Sequence, residues 1–164
     1  MAASRKTTTD YAGRQVDVEL LQSIRTPDVT QRVSISNVKH TPKMVTGLEK
    51  MVQRYTNLLL SYLDSTHFDS ANGTDFLGSL LGGFQNLGVL QSVFTVANSG
   101  VLSQLGADNS NLMYGPIPDD ENIVSAVLLR SDIDIGSSTV LLQVQLTSVS
   151  GDTAVFIIPA TSAR

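Results

Sequence analysis

Apolar and polar residues alternate with a period of two near the start of the chain and again through its C-terminal quarter, as in strands that bury one face. Val16, Val18 and Leu20 alternate with Asp17 and Glu19, and Val33 and Ile35 with Ser34 and Ser36. Two strands are therefore expected on either side of a turn at Thr26-Pro27-Asp28. In the tail, Ile123, Ser125 and Val127 alternate with Val124, Ala126 and Leu128, and Ile133 and Ile135 alternate with Asp132 and Asp134. Gly136-Ser137-Ser138 turns the chain. Val140, Leu142, Val144 and Leu146 then share one strand face, with Gln143 and Gln145 on the other, and Gly151-Asp152 makes a hairpin into Ala154, Phe156 and Ile158. Pro159 is expected to end that strand because it has no N–H for a ladder. The tail should form a three-stranded antiparallel meander.

Between these regions the period lengthens. Thr41-Pro42 reads as a helix start, since Thr caps orphan amides and Pro at the first helical position loses no hydrogen bond. Met44, Val45, Leu48, Met51, Val52, Tyr55, Leu58, Leu59, Tyr62 and Leu63 follow at three- and four-residue spacing, predicting a helix from about residue 42 to about residue 65, about 35 Å long. FDSANGTD is a polar turn. Residues 76–106 are apolar and glycine-laden: helix is favoured over strand from position 89, with Gly100 costing about 1 kcal/mol relative to Ala. Their surplus apolar surface points to a subunit interface. GADNSN (106–111) and GPIPDDEN (115–122) read as loops. The fold expected is α+β: an antiparallel β-sheet, the C-terminal meander plus N-terminal strands, packed on one long α-helix. Residues 1–15, without apolar periodicity, are expected to be a flexible N-terminal arm, and residues 16–164 a single domain with the Gly-rich apolar segment at about 76–106 inside it.

Charge adds a polarity to this plan. Residues 1–64 hold nine of the eleven bases and six of the fifteen carboxylates, a net +3; residues 65–164 hold two bases and nine acids, a net −7. Opposite poles suit head-to-tail packing of copies, which closes into rings or stacks into tubes. An acidic total of −4 without Trp argues against nucleic acid as a partner. No apolar run approaches the roughly 20 residues of a membrane span. Cys is absent, which removes disulfides, zinc–thiolate sites and thiol nucleophiles.

The groups that could carry chemistry do not assemble into a site in the sequence. His40 and His67 flank the predicted helix, roughly 40 Å apart at 1.5 Å per residue, and neither has a partner at metal-ligand spacing. Asp119, Asp120 and Glu121 are adjacent on a loop and point in different directions, so they read as a solvated turn or half of an ion pair between subunits. Asp108-Asn109-Ser110-Asn111 fails as a calcium loop, with Met113 where a glycine is required. GSLLGG and GGFQNLG lack the Lys-Ser/Thr of a phosphate loop, and no nucleophile elbow occurs. Asn72-Gly73-Thr74 matches a glycosylation acceptor in form only. No catalytic residue, metal, cofactor or small-molecule substrate is expected.

The stretch IPDDENIVSAVLLRSDIDIGSSTVLLQVQLTSVSGDTAVFIIP resembles the antiparallel β module of small structural proteins from contractile phage tails, in which a helix precedes an acidic turn, paired strands and a serine-glycine hairpin. Together with the predicted helix it covers a little over half the chain. The small baseplate-wedge proteins carry a proline-glycine-glutamate-arginine loop after their helix, where this chain has FDSANGTD. The resemblance therefore implies a protein joining tail tube to baseplate, similar to the ripcord layer of some myophages. It implies a non-enzymatic virion protein, assembled in the host cytoplasm, whose partners are copies of itself and other tail or baseplate proteins. Strand edges at Val140–Leu146 or Val16–Leu20 are expected to extend a neighbour's sheet. The alternative is an adaptor or assembly chaperone that binds a partner through the apolar middle segment.

Overall fold

The computed structural model describes residues 17–18, 21–25, 31–35, 44–63, 72–81, 86–110, 116–134 and 139–161. The protein is α+β, as the alternating and helical periods predict. Four short strands, β1 (Asp17–Val18), β2 (Leu21–Arg25), β3 (Gln31–Ile35) and β4 (Met44–Val45), precede three helices, α1 (Leu48–Leu60), α2 (Phe76–Leu81) and α3 (Leu87–Ser110). The chain then forms β5 (Ile123–Asp134), β6 (Thr139–Ser148) and β7 (Thr153–Thr161). The last three make the expected antiparallel meander, with the β6–β7 hairpin at Gly151-Asp152. The β2–β3 hairpin extends it into a five-stranded sheet of order β2-β3-β7-β6-β5, in which β3 runs parallel to β7. The expected arm 1–15 and the turns at 26–28 and 136–138 lie outside the described residues.

Alternation along β6 sorts its side chains strictly. Val140, Leu142, Val144, Leu146 and Ser148 are buried, and the odd-numbered residues between them are not. The buried face meets Ala126 of β5, Phe156 and Ile158 of β7, and the inner faces of the helices, in one continuous core. Tyr55 of α1 stands edge-on to Phe156, and Phe76 of α2 edge-on to Phe94 of α3, an arrangement that adds to their area burial.

Several expectations need correction. The helix expected over 42–65 is shorter: Met44–Val45 is a strand paired with Asp17–Val18, and α1 starts only at Leu48. Its core stripe is the expected one, with Met51, Tyr55 and Leu59 buried, but Tyr62 and Leu63 lie beyond its end and are exposed. The longest helix is α3, with 24 residues spanning about 36 Å. It forms because Asn86 Oδ1 accepts the Val89 N–H at its start and Leu90, Phe94, Ala97, Val101 and Leu105 recur on one buried stripe. Gly100 and Gly106 face open space and are tolerated. The sheet is therefore covered by three helices rather than one, α3 lying over β5 and α1 and α2 reaching β7. The expected loop at 106–111 is helical through Ser110, held by Arg54–Asp108 (3.5 Å) and by Asn109 donating to Asn122 (2.6 Å). Pro159 does not end β7, which continues to Thr161; β3 pairs β7 only at Phe156 and Ile157, so the missing N–H falls beyond that ladder.

Buried polar groups lock the layers together. Tyr55 Oη donates to Asn98 Oδ1 (2.7 Å), and Asn98 Nδ2 donates to the Ala126 carbonyl (3.0 Å), so one amide ties α1, α3 and β5. The Gln104 amide grips Gly73 from both sides, accepting its N–H at 3.1 Å and donating to its carbonyl at 2.9 Å. Gly73 has φ 104°, and a Cβ there would sit 2.5 Å from the Tyr62 carbonyl oxygen, so only glycine fits.

Burial in the core pushes the Tyr55 phenol well above its ordinary value of 10.0. Above pH 10 the unfolded chain releases a proton that the folded chain keeps. Stability should therefore fall as pH rises past 10, by up to about 1.4 kcal/mol per pH unit from this group. Tyr55→Phe should remove that component and cost about 1–3 kcal/mol at neutral pH, because Asn98 loses its donor. Denaturant titrations from pH 7 to 11 on both chains measure the two effects.

Candidate functional site

The residues singled out by sequence are brought into two places and excluded from a third. His40 and His67 lie outside the described residues. Among the described residues, no group of three His, Cys, Asp or Glu side chains could hold a metal ion, and no helix is long and apolar enough to cross a membrane. Asn72-Gly73-Thr74 is absorbed by the fold. Thr74 is buried; its hydroxyl donates to the Leu59 carbonyl (2.8 Å) and accepts the Phe76 N–H (3.1 Å) at the start of α2.

The acidic triplet is the clearest departure. Glu121 is 2% exposed rather than solvated, and its partner is in the same chain. Oε1 accepts the Gly47 N–H at 3.0 Å and Oε2 lies 2.9 Å from Lys50 Nζ. The carboxylate thus sits at the N-terminal end of α1, where the helix dipole and a first-turn lysine both favour negative charge. Gly47 has φ 62°, and a Cβ there would meet Asp120 Oδ2 at 2.9 Å, so the turn closes only on glycine. Asp119 is exposed, and its carbonyl accepts the Ser150 N–H. The expectation that Glu121 reaches another subunit is therefore corrected: two bases of the positive half, Lys50 and Arg54, pair inside the chain with two acids of the negative half, Glu121 and Asp108.

Among the described residues, two exposed apolar surfaces stand out. The first is a 410 Å³ cleft lined by Leu63, Phe76, Val93, Val96 and Ala97, with Thr74, Asp75 and Ser92 as its polar members. Its size falls within the range of ligand pockets, roughly 300–1,000 Å³. The Thr74 and Ser92 hydroxyls are committed to backbone carbonyls, Ser92 to Gly88 at 2.9 Å, and only the exposed Asp75 adds charge. Nothing in it pairs a nucleophile with a base.

The second surface is the sheet face turned away from the helices, together with the edge at β5. Cross-strand rows on that face place Val127, Gln145 and Val155 side by side, then Arg130, Gln143 and Ile157. Val127 is 51% exposed, Val155 38%, and Val124 and Leu129, at the two bulges of β5, are 61% and 49%. The edge expected at Val140–Leu146 is not one: β6 lies between β5 and β7, and among the described residues the sheet ends at β5 and β2. Of the segment Val16–Leu20, Asp17–Val18 pairs with β4 in a separate two-stranded ladder. Strict alternation hid this surface. Its signal is the apolar residues that break the alternation, Val127-Leu128-Leu129 and Val155-Phe156-Ile157-Ile158, which put apolar groups on both sheet faces.

Glu121→Ala should lower stability by about 3–5 kcal/mol, because it breaks the ion pair with the largely buried Lys50 and takes the acceptor from the Gly47 N–H. Asp119→Ala, at the exposed neighbour, should change it by less than about 0.5 kcal/mol. Urea unfolding monitored by circular dichroism separates the two. In comparisons with known proteins, no family model, no curated protein and no solved structure matches the chain.

Proposed function

We propose that this chain is a structural virion protein of a contractile phage tail, assembling with copies of itself as a ring or layer between tail tube and baseplate. The observation that carries the reading is the outer sheet face, where Val127 and Val155 stand exposed across Gln145 and β5 ends the sheet beside them. A β-branched face of this kind, rimmed by Gln and Thr, is suited to burial against another subunit. The resemblance of residues 117–159 to the β module of tail proteins supplies the biological setting. The cis pairing of Lys50 and Arg54 removes two charges from the head-to-tail poles, so apolar area rather than charge drives the contact.

A second reading, an adaptor or assembly chaperone, draws on the cleft between α2 and α3. Phe76, Leu80, Leu90 and Phe94 of the apolar middle segment belong to the chain's own core, which leaves that cleft as the part available to a partner.

Light scattering coupled to size exclusion tests the first reading. Wild-type chain should run as a multimer whose mass rises with concentration. Val127→Lys combined with Val155→Lys should run at lower mass than wild type with an unfolding midpoint close to it, since both side chains are exposed. A wild-type monomer at every concentration contradicts self-assembly. Antibody labelling of purified particles away from the tail–baseplate junction contradicts the setting.

A further inference from the structure

We propose that β5 pairs edge to edge with β5 of a second copy, antiparallel, about a two-fold axis that runs normal to the sheet midway between the two Ser131 residues. The proposal rests on the self-assembly reading and adds to the outer-face contact a second one, in the plane of the sheet.

β5 is a sheet edge, and among the described residues no strand lies beyond it. A row of outward N–H and C=O groups on a 12-residue strand is a template for another strand. The two bulges, at Ile123/Ser125 and Leu128/Arg130, break the register of its first part, and Arg130–Asp134 then runs regularly against Gln143–Thr139. Ser131 fixes how this stretch is presented. It is 9% exposed, and its Oγ accepts a hydrogen bond from Gln91 Nε2 of α3 at 3.2 Å, so it faces the core. Alternation then turns its neighbours Arg130 and Asp132 to the outer face, where they pair with each other at 2.8 Å with side chains 71% and 49% exposed.

That spacing is self-complementary. In an antiparallel pair centred on Ser131, Arg130 stands directly opposite Asp132 of the second copy, and Asp132 opposite the other Arg130. Two cross-strand ion pairs form from one sequence element. Centring on Arg130 sets Arg130 against Arg130, and centring on Asp132 sets Asp132 against Asp132 while bringing Arg130 opposite Asp134, so of these three centres only Ser131 opposes no like charges. The axis keeps the helices of both copies on the same side and joins two five-stranded sheets into one of ten.

The chain has no cysteine, so introduced thiols report the register alone. Arg130→Cys and Asp132→Cys chains are mixed in equal amounts, oxidised mildly, and the linked peptides identified by mass spectrometry. The mixed dimer places the two thiols opposite each other within disulfide reach and keeps one native Arg130–Asp132 pair across the axis. It should form at least ten times more than the linked product of either variant alone. Light scattering on wild-type chain runs alongside. If wild type is multimeric but the mixture links no better than the separate variants, this interface is wrong and self-assembly stands. If wild type is monomeric and nothing links, both fall, and Arg130, Asp132 and the bulges are guards that keep the edge from pairing.

Discussion

A buried carboxylate holds this fold together. Glu121 is placed by the tight turn that leads into β5, and it reaches the Gly47 N–H just before α1 and Lys50 in its first turn. The residues on either side of it extend the junction. The Asn122 side chain accepts from Asn109 at the end of α3, its carbonyl accepts from Val149, and the Asp119 carbonyl accepts from Ser150 in the β6–β7 hairpin. Asp119, Glu121 and Asn122 thus gather the start of one helix, the end of another and the turn of the sheet. A charge this deeply buried is costly unless paired and hydrogen-bonded, and here both oxygens are engaged.

From that junction the packing follows. α1 and α3 are held side by side over the sheet, which lets Tyr55 reach Asn98 and Asn98 reach β5. At the far end of α1 the Gln104 grip on Gly73 sets where α2 begins. α3 lies over β5, and α1 and α2 reach β7. The outer face and the β5 edge carry the exposed valines and the Arg130–Asp132 pair. The molecule thus has one sheet face covered by helices and one face with exposed valines.

Much of this was legible in the residue pattern. The core side of β6 follows from strict alternation, the β6–β7 hairpin from Gly151-Asp152, and the α1 stripe from its three- and four-residue spacing. Other features depend on partners far along the chain. Thr41-Pro42 is a good helix start in isolation, yet Met44–Val45 is drawn into a ladder with Asp17–Val18, which no local signal reports. The glycines of α3 argued against a long helix, although Leu90, Phe94, Ala97, Val101 and Leu105 already marked its buried stripe. The parallel pairing of β3 with β7 joins positions more than a hundred residues apart. Glu121 looked like a loop acid because its neighbours Asp119 and Asp120 are acidic too; only Lys50 and Gly47, distant in sequence, show why it is buried.

The central claim is that Glu121 and Lys50 act as one unit that couples α1 to the sheet. A double-mutant cycle on Lys50→Ala and Glu121→Ala, read by equilibrium unfolding of the four chains, measures that coupling directly. The account predicts a coupling energy of about 1–3 kcal/mol, the double variant losing much less than the sum of the singles. Additivity within about 0.5 kcal/mol would contradict it.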